Sequence, residues 1–342
     1  MRKGIIGALF VVAVVVLVIV LRNGLPKPQQ AAPGPEQVSR TVVSGLAWRQ
    51  VALPDGTDQA HRSAADLSHA VFPVRGADGE RQLLSRSSDA VTEVAHGPDP
   101  LVGTLDGSRL VVDSEIAGRT TVSTVDLGRG VRTARAGGFE AGGVAVAAGV
   151  VAVQEGDSCL TFLDVASLNP RSRHCSAPGW AISLLTAETD SVQWKETGQG
   201  DCGVWYRLDD KDQPQRMPTG GRACRAASVI EFGGWEVTTD YPAYDLGILY
   251  PGPLVAWRDG REIALDSTVL DVHACGKHVY WLSKPVGRDQ TGELVRWTPG
   301  EARIEALTVG EPGTTSPARC VNGVLNVVVY GSTPHLWILP DP

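Results

Sequence analysis

Cysteine is absent from the first 158 residues, and the six that follow (Cys159, Cys175, Cys202, Cys224, Cys275 and Cys320) include no CxxC pair. The first absence excludes a lipid attached to an amino-terminal cysteine, and the second removes the usual zinc and dithiol signatures. No basic run follows residue 40, and the net charge is −7, so a nucleic-acid partner is excluded. A long amphipathic helical pattern is lacking, as are a nucleophile elbow, a P-loop, an HExxH and a dinucleotide glycine fingerprint. The seven histidines form no triad by spacing. Neither a catalytic residue nor a cofactor is assigned from sequence.

With 43% hydrophobic and 20% charged residues, the chain has a globular composition and the length to bury a core. Glycine (39) and proline (22) are plentiful, as expected for many short strands joined by tight turns. Residues 4–21 (GIIGALFVVAVVVLVIVL) are apolar or glycine throughout and are flanked by Arg2, Lys3 and Arg22. Their length predicts one transmembrane helix, a signal-anchor over residues 1–22, with a cleaved signal peptide as the rival reading. The Pro, Gly and Gln-rich residues 23–40 then form a tether, and residues 41–342 a single domain. An even number of cysteines beyond one membrane segment suits three disulfides in an oxidising space, so the domain is expected outside the cytoplasm, held at the cell membrane by its helix.

Two phrases, GDSCLTFLDV at 156–165 and GDCGVWYRLD at 200–209, are variants of one another. Related strands begin at Gln82, Thr121, Leu160, Val204, Leu254, Leu294 and Leu336, with spacings of 39, 39, 44, 50, 40 and 42. Ahead of each lies a strand, tight turn, strand series such as LVGTLDGSRLVVDSE from Leu101. Four strands per unit and a period near 40 predict an all-β fold, a seven-bladed β-propeller preceded by the transmembrane helix. Six or eight blades stay open, because residues 57–98 are the least regular. The last unit ends without a fourth strand, and residues 41–53 (TVVSGLAWRQVAL) are surplus at the other end, so an N-terminal strand is expected to close the ring.

The arrangement of these phrases resembles, in architecture, the bacterial membrane-anchored propellers grouped with the YVTN and quinoprotein-like repeat families, over roughly residues 41–342. The Ala, Val, Gly and Arg-rich, Lys-poor usage is similar to that of high-GC actinobacterial proteins. The Gly-His and Trp-Asp dipeptides of WD40 blades and the AxDxxTG phrase of quinoprotein blades are missing, so no cofactor is carried over.

In a hairpin turning near Ser167, Cys159 faces Cys175, and the repeat gives Cys202 the same relation to Cys224. Cys275 and Cys320 then pair between neighbouring blades. HACGKH, with His273, Cys275 and His278, reads better as a disulfide beside two turn histidines than as a metal site, and Asp209, Asp210 and Asp212 read better as a solvated turn than as a calcium loop. Trp205, Trp257, Trp297 and Trp337 recur at one strand position and read as blade packing.

The largest departure from the period is TTDYPAYDLGILYPGP at 238–253. Its Asp240, Tyr241, Tyr244 and Asp245, with Arg288 from the 283–293 loop, are the candidate binding residues, since long loops on a rigid scaffold commonly carry recognition. The expected function is a binding or scaffold module of the cell envelope with a protein or polymer partner. The alternative is a hydrolase or lyase with its site in the central channel.

Overall fold

The computed structural model describes residues 36–342 except 88–89, 98–100, 141, 189, 199–202, 218–225, 241–243, 246–247, 250–251, 284–291, 312 and 341; for 116, 240, 244–245, 248–249 and 270 only the backbone is described. The chain divides into two compact units, Met1–Glu36 and Gln37–Pro342. The second builds the sheets.

Strands form because apolar residues alternate and glycine-bearing turns interrupt them. Leu101–Asp106 is buried at every second residue, as a sheet facing two environments requires. Val150–Glu155 and His278–Ser283 are instead buried in continuous runs, because both faces of these central strands are covered by neighbouring sheets. Outer strands such as Pro170–Cys175 are largely exposed. At the turn between Arg319–Val321 and Val324–Tyr330, Asn322 and Gly323 both have positive φ (49° and 76°), the demand of a two-residue I′ hairpin.

Four antiparallel sheets have four strands each and follow one another along the chain, starting at Ala64–Ala65, Leu101–Asp106, Val144–Ala147 and Ala181–Glu188. A five-stranded sheet closes the chain and contains Arg319–Val321, Val324–Tyr330 and Pro334–Leu339.

The expected fold class needs two corrections. The architecture is an all-β propeller, but five sheets stand as separate blades, not seven, and the strands between Ala226 and Leu307, apart from the small pair Tyr244–Asp245 and Ile248–Leu249, join Glu36–Gln37 and Ser39–Val43 in one continuous nine-stranded sheet. The cause is Arg261–Cys275, a single strand of 15 residues. Its first part pairs with Gly252–Arg258 and its last part, from Val269, with His278–Ser283. It lacks the turn that would separate two blades. The second correction concerns the helix. Among the described residues no helix is long and apolar enough to cross a membrane, and the only helical element is the turn Ala60–Arg62. Anchoring of the chain to a membrane through an N-terminal helix is therefore not supported; residues 1–22 and most of 23–40 lie outside the described residues.

The N-terminal segment is divided between two sheets. Ser39–Val43 runs parallel to Arg303–Leu307 on the nine-stranded sheet, whereas Arg49–Val51 pairs antiparallel with Pro334–Leu339. Between them Leu46 and Trp48 pack on a core that includes Leu325, Val327 and Leu339. The short second strand thus covers the outer edge of the last sheet, an edge that would otherwise offer unpaired N–H and C=O groups.

Candidate functional site

The short innermost strands line a central cavity of about 440 Å³. Its wall combines small apolar side chains (Ala64, Val144, Ala145) with charged ones from four different sheets: Asp106, Glu188, Asp271 with His273, and Arg319.

Asp271 owes its position to backbone irregularity. The register between Arg261–Cys275 and His278–Ser283 shifts between Leu270 and Val272, which leaves Asp271 as the bulged residue with φ of 54°. Aspartate tolerates this left-handed conformation better than most side chains. Its carboxylate lies 3.0 Å from His273 Nε2, and His273 Nδ1 lies 4.0 Å from Glu188 Oε1. The other Glu188 oxygen accepts a hydrogen bond at 3.4 Å from the Ala274 N–H. One imidazole therefore stands between two carboxylates.

Burial opposes charge on all of these groups, and the neighbours decide the result. Burial alone would lower the His273 pKa, but the charge and hydrogen bond of Asp271 push it up to about 9. Burial works to raise the Asp271 carboxyl, yet the His273 charge takes it below its ordinary value. Glu188 is pushed up to about 7 by burial, with His273 offsetting part of the rise. Burial also raises Asp106, against the hydrogen bond that it accepts at 3.0 Å from the Gly149 N–H. At neutral pH the centre holds an imidazolium, an ionised Asp271 and a Glu188 near its own midpoint. Such a set can bind charged groups or exchange protons. Among the described residues no group of three His, Cys, Asp or Glu has metal-binding geometry.

Of the described cysteines, Cys320 lines this cavity, whereas Cys175 lies on an exposed outer strand. Cys159 pairs with Cys175 in register and is bonded to it, and Cys275 is bonded to Cys320, joining the nine-stranded sheet to the last one. Cys202 and Cys224 lie outside the described residues. In HACGKH, His273 turns into the cavity, and His278 meets the Thr298 hydroxyl at 3.0 Å. Asp209 accepts the backbone N–H groups of Lys211 and Gln213, and Asp212 pairs with Arg171 at 2.8 Å. Trp205 and Trp297 are core residues, the latter edge-on to Trp235 with ring centroids 5.5 Å apart.

At the rim, the connection after Trp235–Asp240 contains a small antiparallel pair, in which Tyr244 faces Leu249 and Asp245 faces Ile248. The backbone of Asp240, Tyr244 and Asp245 is thus ordered in strands. Tyr241 and Arg288 lie outside the described residues, and no described contact brings the five rim residues together. Asp106, Glu188, Asp271 and Arg319 were not legible as site residues, because they are scattered over more than 200 positions. The available signal was a charged residue within, or at the end of, an otherwise small and apolar first strand.

No family model matches the chain, and no curated protein matches it in sequence. Solved structures match it in shape. BamB from Moraxella catarrhalis is 13% identical, with 85% of this chain and 99% of that one covered at a TM-score of 0.50. A chain of the mitotic checkpoint complex is 15% identical, with 93% and 100% covered at 0.54. The β-propeller domain of the Trilobed protease from Pyrococcus furiosus, described as having an open velcro topology, is 10% identical, with 82% and 94% covered at 0.55. At these identities the likeness shows the fold alone, a β-propeller.

Proposed function

We propose that the chain is an extracytoplasmic binding and scaffold propeller of a bacterial, high-GC envelope, engaging a protein or polymer partner through the rim that bears Asp240, Tyr241, Tyr244, Asp245 and Arg288. The observation that carries this reading is the rim hairpin, in which Tyr244–Asp245 pairs with Ile248–Leu249 within the longest connection of the repeat. A backbone hairpin on a cross-linked frame has little conformational entropy to lose on binding. The disulfides support the compartment, since such bonds persist in oxidising spaces. Solved propellers of similar shape include one within a multiprotein complex, which supports a protein partner by analogy of fold.

The test is cross-linking and capture from the native envelope with the wild type and with Tyr241→Ala/Tyr244→Ala. Truncating a true hot spot costs about 2 kcal/mol, roughly a thirtyfold loss of affinity, so capture should fall while the melting temperature holds. Unchanged capture by a folded variant refutes the rim as the recognition face.

A second reading, a hydrolase or lyase acting in the channel, is favoured by the placement of His273 between Asp271 and Glu188. It predicts turnover that vanishes in His273→Gln.

A further inference from the structure

The cavity carries charges of both signs on the innermost strands. Asp106 and Glu188 are the last residues of their innermost strands, whereas Arg319 and His273 each stand two residues before the end of theirs. Asp271, four residues before the end of the His273 strand, adds an acid on the Arg319 side. Three of the five charges on the wall are already engaged with one another, since His273 lies 4.0 Å from Glu188 and holds Asp271 at 3.0 Å. Asp106 and Arg319 have no partner at ion-pair distance, although the Asp271 charge acts on Arg319 from farther away. Among the described residues the Arg319 guanidinium has no ion pair and no hydrogen bond, and the Asp106 carboxylate has a single backbone N–H and no cation. Both face the same cavity.

A second feature points the same way. A pocket of about 150 Å³ shares Leu185, Thr186, Glu188, Asp271 and His273 with the cavity wall and is closed by Trp205. Trp205 is 1% exposed, and its indole N–H is buried without a partner. Buried donors are nearly always satisfied, so an orphan beside a cavity marks a place for a ligand acceptor.

We propose that the channel binds a small zwitterion, of the size of an amino acid or a dipeptide, with its carboxylate on Arg319 and its ammonium on Asp106. An anion alone on Arg319 would leave Asp106 without a counter-charge, and a cation alone on Asp106 would leave Arg319 without one at ion-pair distance. A ligand with both charges supplies a counter-charge to Arg319 and to Asp106 together, and a cavity of this volume is within the range of small-molecule sites. The site is independent of the rim and of any partner there.

The experiment is calorimetric titration and thermal shift of the purified full chain at neutral pH, with the standard amino acids and a set of dipeptides, and with acetate and methylammonium as half-ligands. At least one zwitterion should saturate the protein, raise its melting temperature and bind at least about tenfold more tightly than either half-ligand, as two charge-assisted contacts imply. Arg319→Gln and Asp106→Asn should each weaken it about tenfold or more, and Trp205→Phe should weaken it less. Arg319→Lys keeps the charge but loses the fork and should fall between, which serves if the glutamine variant does not fold. The proposal is overturned if no panel member saturates below about 10 mM, a binding energy under roughly 3 kcal/mol. It is equally overturned if acetate or methylammonium matches the zwitterion, or if folded Arg319 and Asp106 variants bind as the wild type does.

Discussion

The side-chain amide of Asn326 pairs with both backbone polar groups of Ala65: the Ala65 N–H donates to Oδ1 at 2.7 Å, and Nδ2 donates to the Ala65 carbonyl at 2.9 Å. The two residues are 261 positions apart. Asn326 belongs to the last sheet and Ala65 to the innermost strand of the first, so a side chain supplies the rung that no backbone could reach. At 3% exposure the amide has no access to water as a substitute.

Asn326→Leu should therefore leave an N–H and a C=O of Ala65 buried and unpaired. Each such group costs about 1 to 3 kcal/mol, so a loss of roughly 2 to 6 kcal/mol is expected. It should appear as a lower denaturant midpoint with little change in slope.

The strand Arg49–Val51 is the outer partner of Pro334–Leu339, with Gln50 opposite Trp337. A fragment beginning at residue 54 should melt well below one beginning at residue 37 and should aggregate on heating, since it exposes a strand edge and uncovers the Trp48 and Val51 packing. Light scattering during a melt checks this.

Cys159–Cys175 closes a span of 16 residues and Cys275–Cys320 one of 45. In the chain-entropy model these contribute about 3 and about 4 kcal/mol. Replacing Cys275 and Cys320 by alanine should thus lower stability more than replacing Cys159 and Cys175, by denaturant unfolding of the two double variants. Peptide mapping without reduction should recover both bonds and test whether Cys202 is bonded to Cys224.

The charged cavity makes stability depend on pH. His273 titrates at about 9 in the folded chain against 6.5 in the unfolded one, so its contribution is complete below pH 6.5 and is lost as pH rises through 9. Glu188, raised from 4.5 to about 7, acts in the same direction. The folded form holds its proton more tightly, and stability falls as pH rises from about 4.5 to 7. Glu188→Gln should flatten the lower window and His273→Gln the upper one, as read by melting temperature from pH 4 to 10.

The strands and the Cys159–Cys175 bond were legible in sequence because both are local. Period-two alternation and a glycine turn fix a hairpin, and a hairpin fixes which cysteines face each other. The blade count was not, because it depends on one stretch that carries no turn. Between Ile263 and Cys275 there is neither glycine nor proline, and the chain continues as one strand by changing partners near Val269.

By itself the sequence determined an all-β repeat chain with tight turns, since these follow from neighbours a few positions apart. Only the tertiary structure decided that two stretches of the repeat merge into one sheet, that Asn326 bonds to Ala65, and that Asp106, Glu188, His273 and Arg319 share one cavity. Those relations link residues tens to hundreds of positions apart, and closing the ring brings together side chains whose spacing along the chain carries no common pattern.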